Sequence, residues 1–323
     1  MALSKEAQRA YKKAEKTKQK KHKNKHWFFL RKGDNVKEIC SKVFTQIAAV
    51  VLIVCVIILF DYFRAIFTNS HLNGSLQDLY GQVSGIFNSG ELLPNAKQLL
   101  EINPDTVGWV KIDDTKVDLP VVLRQDEKEG NTYYLRKNFN GENAKAGTVF
   151  ADYRTTITPK KHSDNIVLYG HNEKDNTMFG DLDQYKKSVD FYKSHPIVHF
   201  NTNYAQGDYK IFAYFVTTVL PKQDQNGTVF DYHNYIDMDK ARYKQFMENI
   251  MSRSKITTDI DVKYGDEFLT LSTCSSEFEP SRFVVFARKV RKGEEPTINT
   301  DAVKINPNAK SPDLDFIYYG KKK

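Results

Sequence analysis

The chain has 323 residues, room for one large domain or two small ones, and a formal net charge of +8. Its first 42 residues hold 14 basic and 4 acidic side chains, a surplus of 10 that leaves the remainder near −2 and so excludes a strongly basic folded part. Three cysteines, Cys40, Cys55 and Cys274, are too few for a disulfide-built scaffold.

The lysines of the N-terminal stretch, Lys12 to Lys25, would suit nucleic acid, but the apolar run after them decides otherwise. Residues 43–60 are apolar apart from Thr45 and Gln46, and Tyr62, Phe63, Ala65, Ile66 and Phe67 carry the run past Asp61 and Arg64. Some 20 apolar residues span a bilayer, so the run predicts a transmembrane helix over 43–67 in contact with membrane lipid. No Ala-x-Ala site follows it, which favours an uncleaved signal anchor. The lysine bias places residues 1–42 in the cytoplasm and everything after 67 outside, a single-pass arrangement in the cell membrane. Cys274 is then the one external thiol, and no nucleic-acid partner is expected.

Beyond the anchor, Leu76, Leu79, Tyr80, Val83, Ile86 and Phe87 recur at helical spacing over 75–87, with Asn88-Ser-Gly90 as a stop; 92–102 reads as a second, shorter helix. The pattern then changes to short strands over 107–112, 117–123, 147–152, 165–169, 196–201 and 208–219. One helix interrupts them: Asp237 or Asp239 can cap it, and Tyr243, Phe246, Met247, Ile250 and Met251 line one face. Residues 292–323 are polar with scattered prolines and predict a flexible tail.

The last two strands form the stretch that carries chemistry. In Glu267-Phe-Leu-Thr-Leu-Ser-Thr-Cys274 the alternation puts Thr270, Ser272 and Cys274 on one face, and the β-branched run from Arg282 to Val290 returns after a polar loop. A hairpin of these arms makes about eight strands, which suits a closed barrel or a sandwich. It also sets Cys274 opposite Arg282, with β-carbons on the order of 5 Å apart. A neighbouring cation favours the reactive thiolate form of a cysteine. On the hairpin alone, Cys274 fits a nucleophile and a small buried hydrophobe equally well.

A cysteine nucleophile needs an acid/base partner, usually histidine, to protonate a leaving amine. The external histidines are His71, His162, His171, His195, His199 and His233. His171 follows the apolar strand 165–169 and Gly170, a strand-end position from which scaffolds present reactive groups. His195 precedes a proline and His199 sits in a strand-like run, so both read as structural. No paired-cysteine spacing, His-Glu-x-x-His, Gly-x-Gly-x-x-Gly or Gly-x-x-x-x-Gly-Lys-Ser/Thr occurs, so neither a metal nor a cofactor is expected.

Together, Thr270-Leu-Ser-Thr-Cys274, the histidine of Tyr169-Gly-His-Asn172 and an arginine opening the strand after the cysteine resemble the active site of sortases, the membrane-anchored cysteine transpeptidases of Gram-positive bacteria. Asn103-Pro-Asp-Thr-Val-Gly-Trp-Val110, Tyr133-Tyr-Leu-Arg-Lys-Asn-Phe-Asn-Gly141, Gly147-Thr-Val-Phe-Ala-Asp-Tyr-Arg154 and Met178-Phe-Gly-Asp-Leu182 resemble class B sortases, a likeness that covers about residues 75–291. It implies a mainly β fold with helical decorations: an eight-stranded sortase-type β-barrel over 104–291, N-terminal helices over 68–103 and one inserted helix, behind a single transmembrane helix. It also implies that Cys274 is the nucleophile, His171 the acid/base, Arg282 the group that holds substrate or oxyanion, and that Ser272, Asn131 and Leu135 line the substrate groove.

The activity so implied is cleavage of the C-terminal sorting signal of surface proteins after a threonine, with acyl transfer to a peptidoglycan precursor or other amine acceptor. Two departures are the short, acidic loop with Glu277 and Glu279, and the 292–323 extension. The alternatives are a pilus-assembly sortase joining pilin subunits and a non-catalytic surface adhesin. Class C pilus enzymes usually carry an Asp-Pro-aromatic lid and often a second membrane helix, which this sequence does not show.

Overall fold

The computed structural model describes residues 6, 8–15, 28–81, 91–224 and 227–320. The chain divides into two compact units, Met1–Ile66 and Phe67–Lys323. Helix α1 (Val36–Gly81), which begins in the first unit, starts from a reciprocal capping box: the Glu38 amide donates to Asn35 Oδ1 at 2.9 Å and the Asn35 amide to Glu38 Oε2 at 3.2 Å. Ile47, Val51, Ile57 and Phe60 are all exposed, and the helix is long and apolar enough to cross a membrane.

One expectation changes here. The sequence predicts an anchor and a separate helix over 75–87, but α1 runs unbroken to Gly81. It contains no proline, and Gly74 alone costs only about 1 kcal/mol in a helix, too little to stop it. The remaining predicted positions, Val83, Ile86, Phe87 and the stop at 88–90, lie outside the described residues.

The second unit is built on a closed barrel of order β1-β2-β3-β4-β8-β9-β6-β5. Its strands are β1 (Thr106–Lys111), β2 (Asp118–Val122), β3 (Val149–Ala151), β4 (Asn165–Tyr169), β5 (Ile197–Thr202), β6 (Asp208–Thr218), β8 (Phe268–Cys274) and β9 (Ser281–Lys289). These are the eight strands the alternation predicts. β3 is shorter at its start because Gly147 has φ +64 and the Tyr134 carbonyl leaves no room for a side chain there. Neighbours are antiparallel except for β2·β3 and β4·β8.

Period-two patterning sends Ile166 and Leu168 of β4, Leu269 and Leu271 of β8, and Val285 of β9 into the barrel. The outer wall of the same strands is covered by the excursion after β6, which holds α5 (Lys240–Arg253). Asp239 caps α5 by accepting from the Arg242 amide, and Phe246 and Ile250 pack on Phe212, Phe268 and Phe286. Burying each such ring stabilises the fold by about 1.5–3 kcal/mol. Met251, placed on that apolar face by spacing, is 42% exposed because it falls at the margin of the contact. Helix α2 (Pro94–Ile102) closes another patch through Leu99, beside the stacked rings of Tyr80 and Trp109. Two short helices, α3 (Gln184–Lys187) and α4 (Val189–Ser194), precede β5.

The polar C-terminal stretch, expected to be a flexible tail, is ordered over its described part. Strand β10 (Lys304–Ile305) pairs with β7 (Ile256–Thr257), Val303 is buried, and α6 (Leu314–Tyr319) rests Ile317 on the barrel. Its order comes from pairing with distant backbone, for instance the Asn306 amide on the Lys255 carbonyl and the Lys310 amide on the Ser252 carbonyl, both at 2.9 Å. Composition does not reveal such bonds.

Candidate active site

β4 and β8 are parallel neighbours with Tyr169 paired to Ser272, so both chains leave the barrel at the same end. His171 and Cys274 each stand two residues past that pair. β9 enters antiparallel at the same end with Arg282 opposite Cys274, the pairing that the hairpin predicts. Three adjacent strands thus deliver a histidine, a cysteine and an arginine to one rim. Every residue of β8 is buried until Cys274, which is exposed.

The turn that carries His171 depends on Gly170. A Cβ there would stand 2.7 Å from the Phe179 ring, and the Phe179 amide donates to the His171 carbonyl at 2.9 Å. The imidazole is oriented by the Leu135 carbonyl, 2.9 Å from Nε2. A carbonyl can only accept, so Nε2 carries the hydrogen and Nδ1 is left for proton exchange. Asn172, the next residue, donates from Nδ2 to the Cys274 carbonyl at 2.9 Å and ties the two strand ends together. The Arg282 guanidinium reaches back to the Ser281 carbonyl at 2.9 Å.

All six residues singled out from the sequence line one cleft of about 330 Å³: Asn131, Leu135, His171, Ser272, Cys274 and Arg282. Two of them are also held in place by hydrogen bonds. Ser272 is buried beneath the cleft with its Oγ 2.6 Å from the Tyr232 hydroxyl, and the Asn131 amide is engaged on both sides, donating to Asp152 at 3.0 Å and accepting from the Tyr153 amide at 2.9 Å. Among the described residues no cluster of histidine, cysteine and carboxylate could hold a metal ion.

A polar bed supports the cleft from behind. The fully buried Asp152 carboxylate accepts from Arg154 Nε at 2.8 Å and from the Tyr169 hydroxyl at 2.9 Å. Burial pushes its pKa up, but these bonds and the Arg154 charge outweigh burial and hold it below the ordinary carboxylate value. Arg154 also grips the His233 carbonyl at 2.7 Å. His233 and Tyr232 line the cleft, and burial shifts the imidazole down and the phenol up, so both favour their neutral forms. Sequence reading missed this bed. Asp152 and Arg154 lie inside a stretch already marked by resemblance, but Tyr232 and His233 sit in a single 3-10 turn, Tyr232–Asn234, too short to leave a period in the sequence.

Comparison with known proteins gives the family and the fold. Residues 110–290 match the model of the sortase domain family. Sortase B of Listeria monocytogenes is 32% identical over 206 residues, 63% of this chain and 77% of that protein, and sortase B of Staphylococcus aureus is 33% identical over 200 residues, 62% and 75%. The crystal structure of sortase B from B. anthracis superposes with a TM-score of 0.60 at 31% identity, covering 71% of this chain and 99% of that one.

Proposed function

The chain belongs to the sortase family, with class B sortases as its relatives, and from that premise we propose that it is a cysteine transpeptidase acting through Cys274, His171 and Arg282. The observation that carries the reading is the meeting of these three side chains in one cleft at the ends of three adjacent strands. Cys274 passes its thiol proton to His171, and its Sγ adds to the threonine carbonyl carbon at the cleavage point of a C-terminal sorting signal. The C–N bond breaks as His171 gives a proton to the departing amine, leaving a thioester. An amine of a peptidoglycan precursor then attacks the thioester and gives up a proton to His171, and the C–S bond breaks as that proton returns to Sγ. Arg282 and a backbone N–H stabilise the tetrahedral oxyanion, an effect of roughly 3–4 kcal/mol for one such donor.

In the same proposal residues 1–42 are cytoplasmic, 43–67 anchor the chain in lipid, 68–103 lead into the barrel, and the catalytic unit over 104–291 faces outward. Leu135 and Asn131 shape the groove, Leu135 by its side chain and Asn131 by fixing the loop around Tyr153.

A panel of sorting-signal peptides and amines, read by mass spectrometry, tests the activity. The expected result is a peptide–amine product from the wild type and none from Cys274→Ala or His171→Ala, with circular dichroism unchanged. Product formation by Cys274→Ala would overturn the assignment, and full activity in His171→Ala would move the acid/base role to another histidine.

A further inference from the structure

Beyond residue 290, where the family match ends, the chain returns to the loop between the last two barrel strands. The loop from Ser275 to Pro280 joins Cys274 to Arg282, so its shape sets how those two side chains stand to each other. Two of its carbonyls are held from outside the hairpin. The Tyr318 hydroxyl of α6 donates to the Glu277 carbonyl at 2.5 Å, and Gln223 Nε2 donates to the Glu279 carbonyl at 3.0 Å.

Gln223 is buried, and three parts of the molecule meet on it. Its Oε1 accepts from Thr218 Oγ1 at 2.5 Å, and Thr218 lines the cleft. Its main-chain carbonyl accepts from the Asp313 amide at 2.7 Å. Asp313, itself buried, caps α6 through the Phe316 amide and so fixes the helix that carries Tyr318. The cleft wall and the loop between Cys274 and Arg282 thus share the buried side-chain amide of Gln223, and the C-terminal segment holds the same residue by its main-chain carbonyl. A segment serving only as a cover for apolar surface would need Val303 and Ile317 against the barrel but no hydrogen bonds to this loop.

We infer that residues 304–319 form a strap that fixes the Ser275–Pro280 loop through Gln223 and Tyr318, and that these two are positioning residues for Cys274 and Arg282. The inference rests on the transpeptidase reading for its kinetic consequence but not for its structural one. Gln223→Met keeps the bulk of the side chain and removes both of its polar contacts, and Tyr318→Phe removes a single hydroxyl from an exposed ring, which leaves folding intact.

The test measures kcat and KM for peptide–amine transfer, thermal midpoints, and hydrogen exchange of residues 275–281 by mass spectrometry on the full chain. Gln223→Met is expected to lower kcat about tenfold and Tyr318→Phe about twofold, with KM little changed, the pattern of a misplaced reacting group. Exchange should rise in 275–281 while β4 and the β1–β2 pair stay as protected as in the wild type. Wild-type kcat and exchange in both variants would overturn the strap, as would increased exchange spread evenly over the barrel, which marks a general loss of stability. A wild-type chain with no transfer activity overturns the transpeptidase reading instead, and the exchange pattern then still decides whether the loop is held.

Discussion

The two faces of β8 have opposite tasks. Leu269 and Leu271 point into the barrel, where both are fully buried, and they hold the strand in register between β4 and β9. Thr270, Ser272 and Cys274 point outward: Thr270 bonds Asn165 at 2.8 Å, Ser272 bonds Tyr232, and Cys274 emerges at the rim. A slip of one residue would exchange the faces and bury the thiol. The inner face thus sets position and the outer face displays chemistry, so stability and turnover should separate when each is altered.

The largest effect is expected inside. Leu271→Ala leaves a cavity in the barrel and should cost about 2–5 kcal/mol in denaturant unfolding, while turnover per folded molecule stays near wild type well below the midpoint. A matching loss of turnover would show that the two faces are not separable. Next comes Arg282 on the outer face. If its planar fork orients the substrate carbonyl or its oxyanion, both Arg282→Lys and Arg282→Ala should lose on the order of a hundredfold in turnover with little change in stability. Near-normal turnover in the lysine variant would reduce Arg282 to a simple positive charge.

The smallest effect is expected just before β8 begins, at the end of the strand remote from Cys274. Glu267 is hydrogen-bonded by His162 and paired with Lys289 at 2.8 Å, and these contacts lower its pKa to about 2 from the ordinary 4.5. The ionised form is thus favoured in the folded chain. Its stabilisation is complete above pH 4.5 and is lost as pH falls toward 2. Because this side chain is 42% exposed, the contribution is small. Thermal midpoints of Glu267→Gln should decline less between pH 4.5 and 2 than those of the wild type, with turnover at neutral pH unchanged. Parallel declines would show that the ion pair adds nothing.

The barrel was legible because its strands read as short alternating or apolar β-branched runs, and the rim was legible because Cys274 and Arg282 are near in sequence and His171 follows an apolar strand. What stayed hidden depends on partners far along the chain. Asn172 sits beside His171 in sequence but shows no role until its amide meets the Cys274 carbonyl. Asp152, at the end of a predicted strand, shows no role in sequence until Arg154, Tyr169 and Asn131 surround it. The C-terminal stretch reads as a tail because its order comes from backbone bonds to Lys255, Ser252 and Gln223, which side-chain composition does not report. Solvent-exposed rims and irregular loops lack the period on which pattern reading relies.

The parallel pairing of β4 with β8 has a further consequence for how the protein matures. Asn172 and Cys274 are 102 residues apart, so the contact between them closes a long loop whose entropy must be met before the contact rewards it. Such high contact order slows folding, and it ties the assembly of the site to completion of the barrel. A partly folded chain holds the thiol, the imidazole and the guanidinium without bringing them together. The topology therefore brings the three side chains to one rim only in molecules whose last strands have closed.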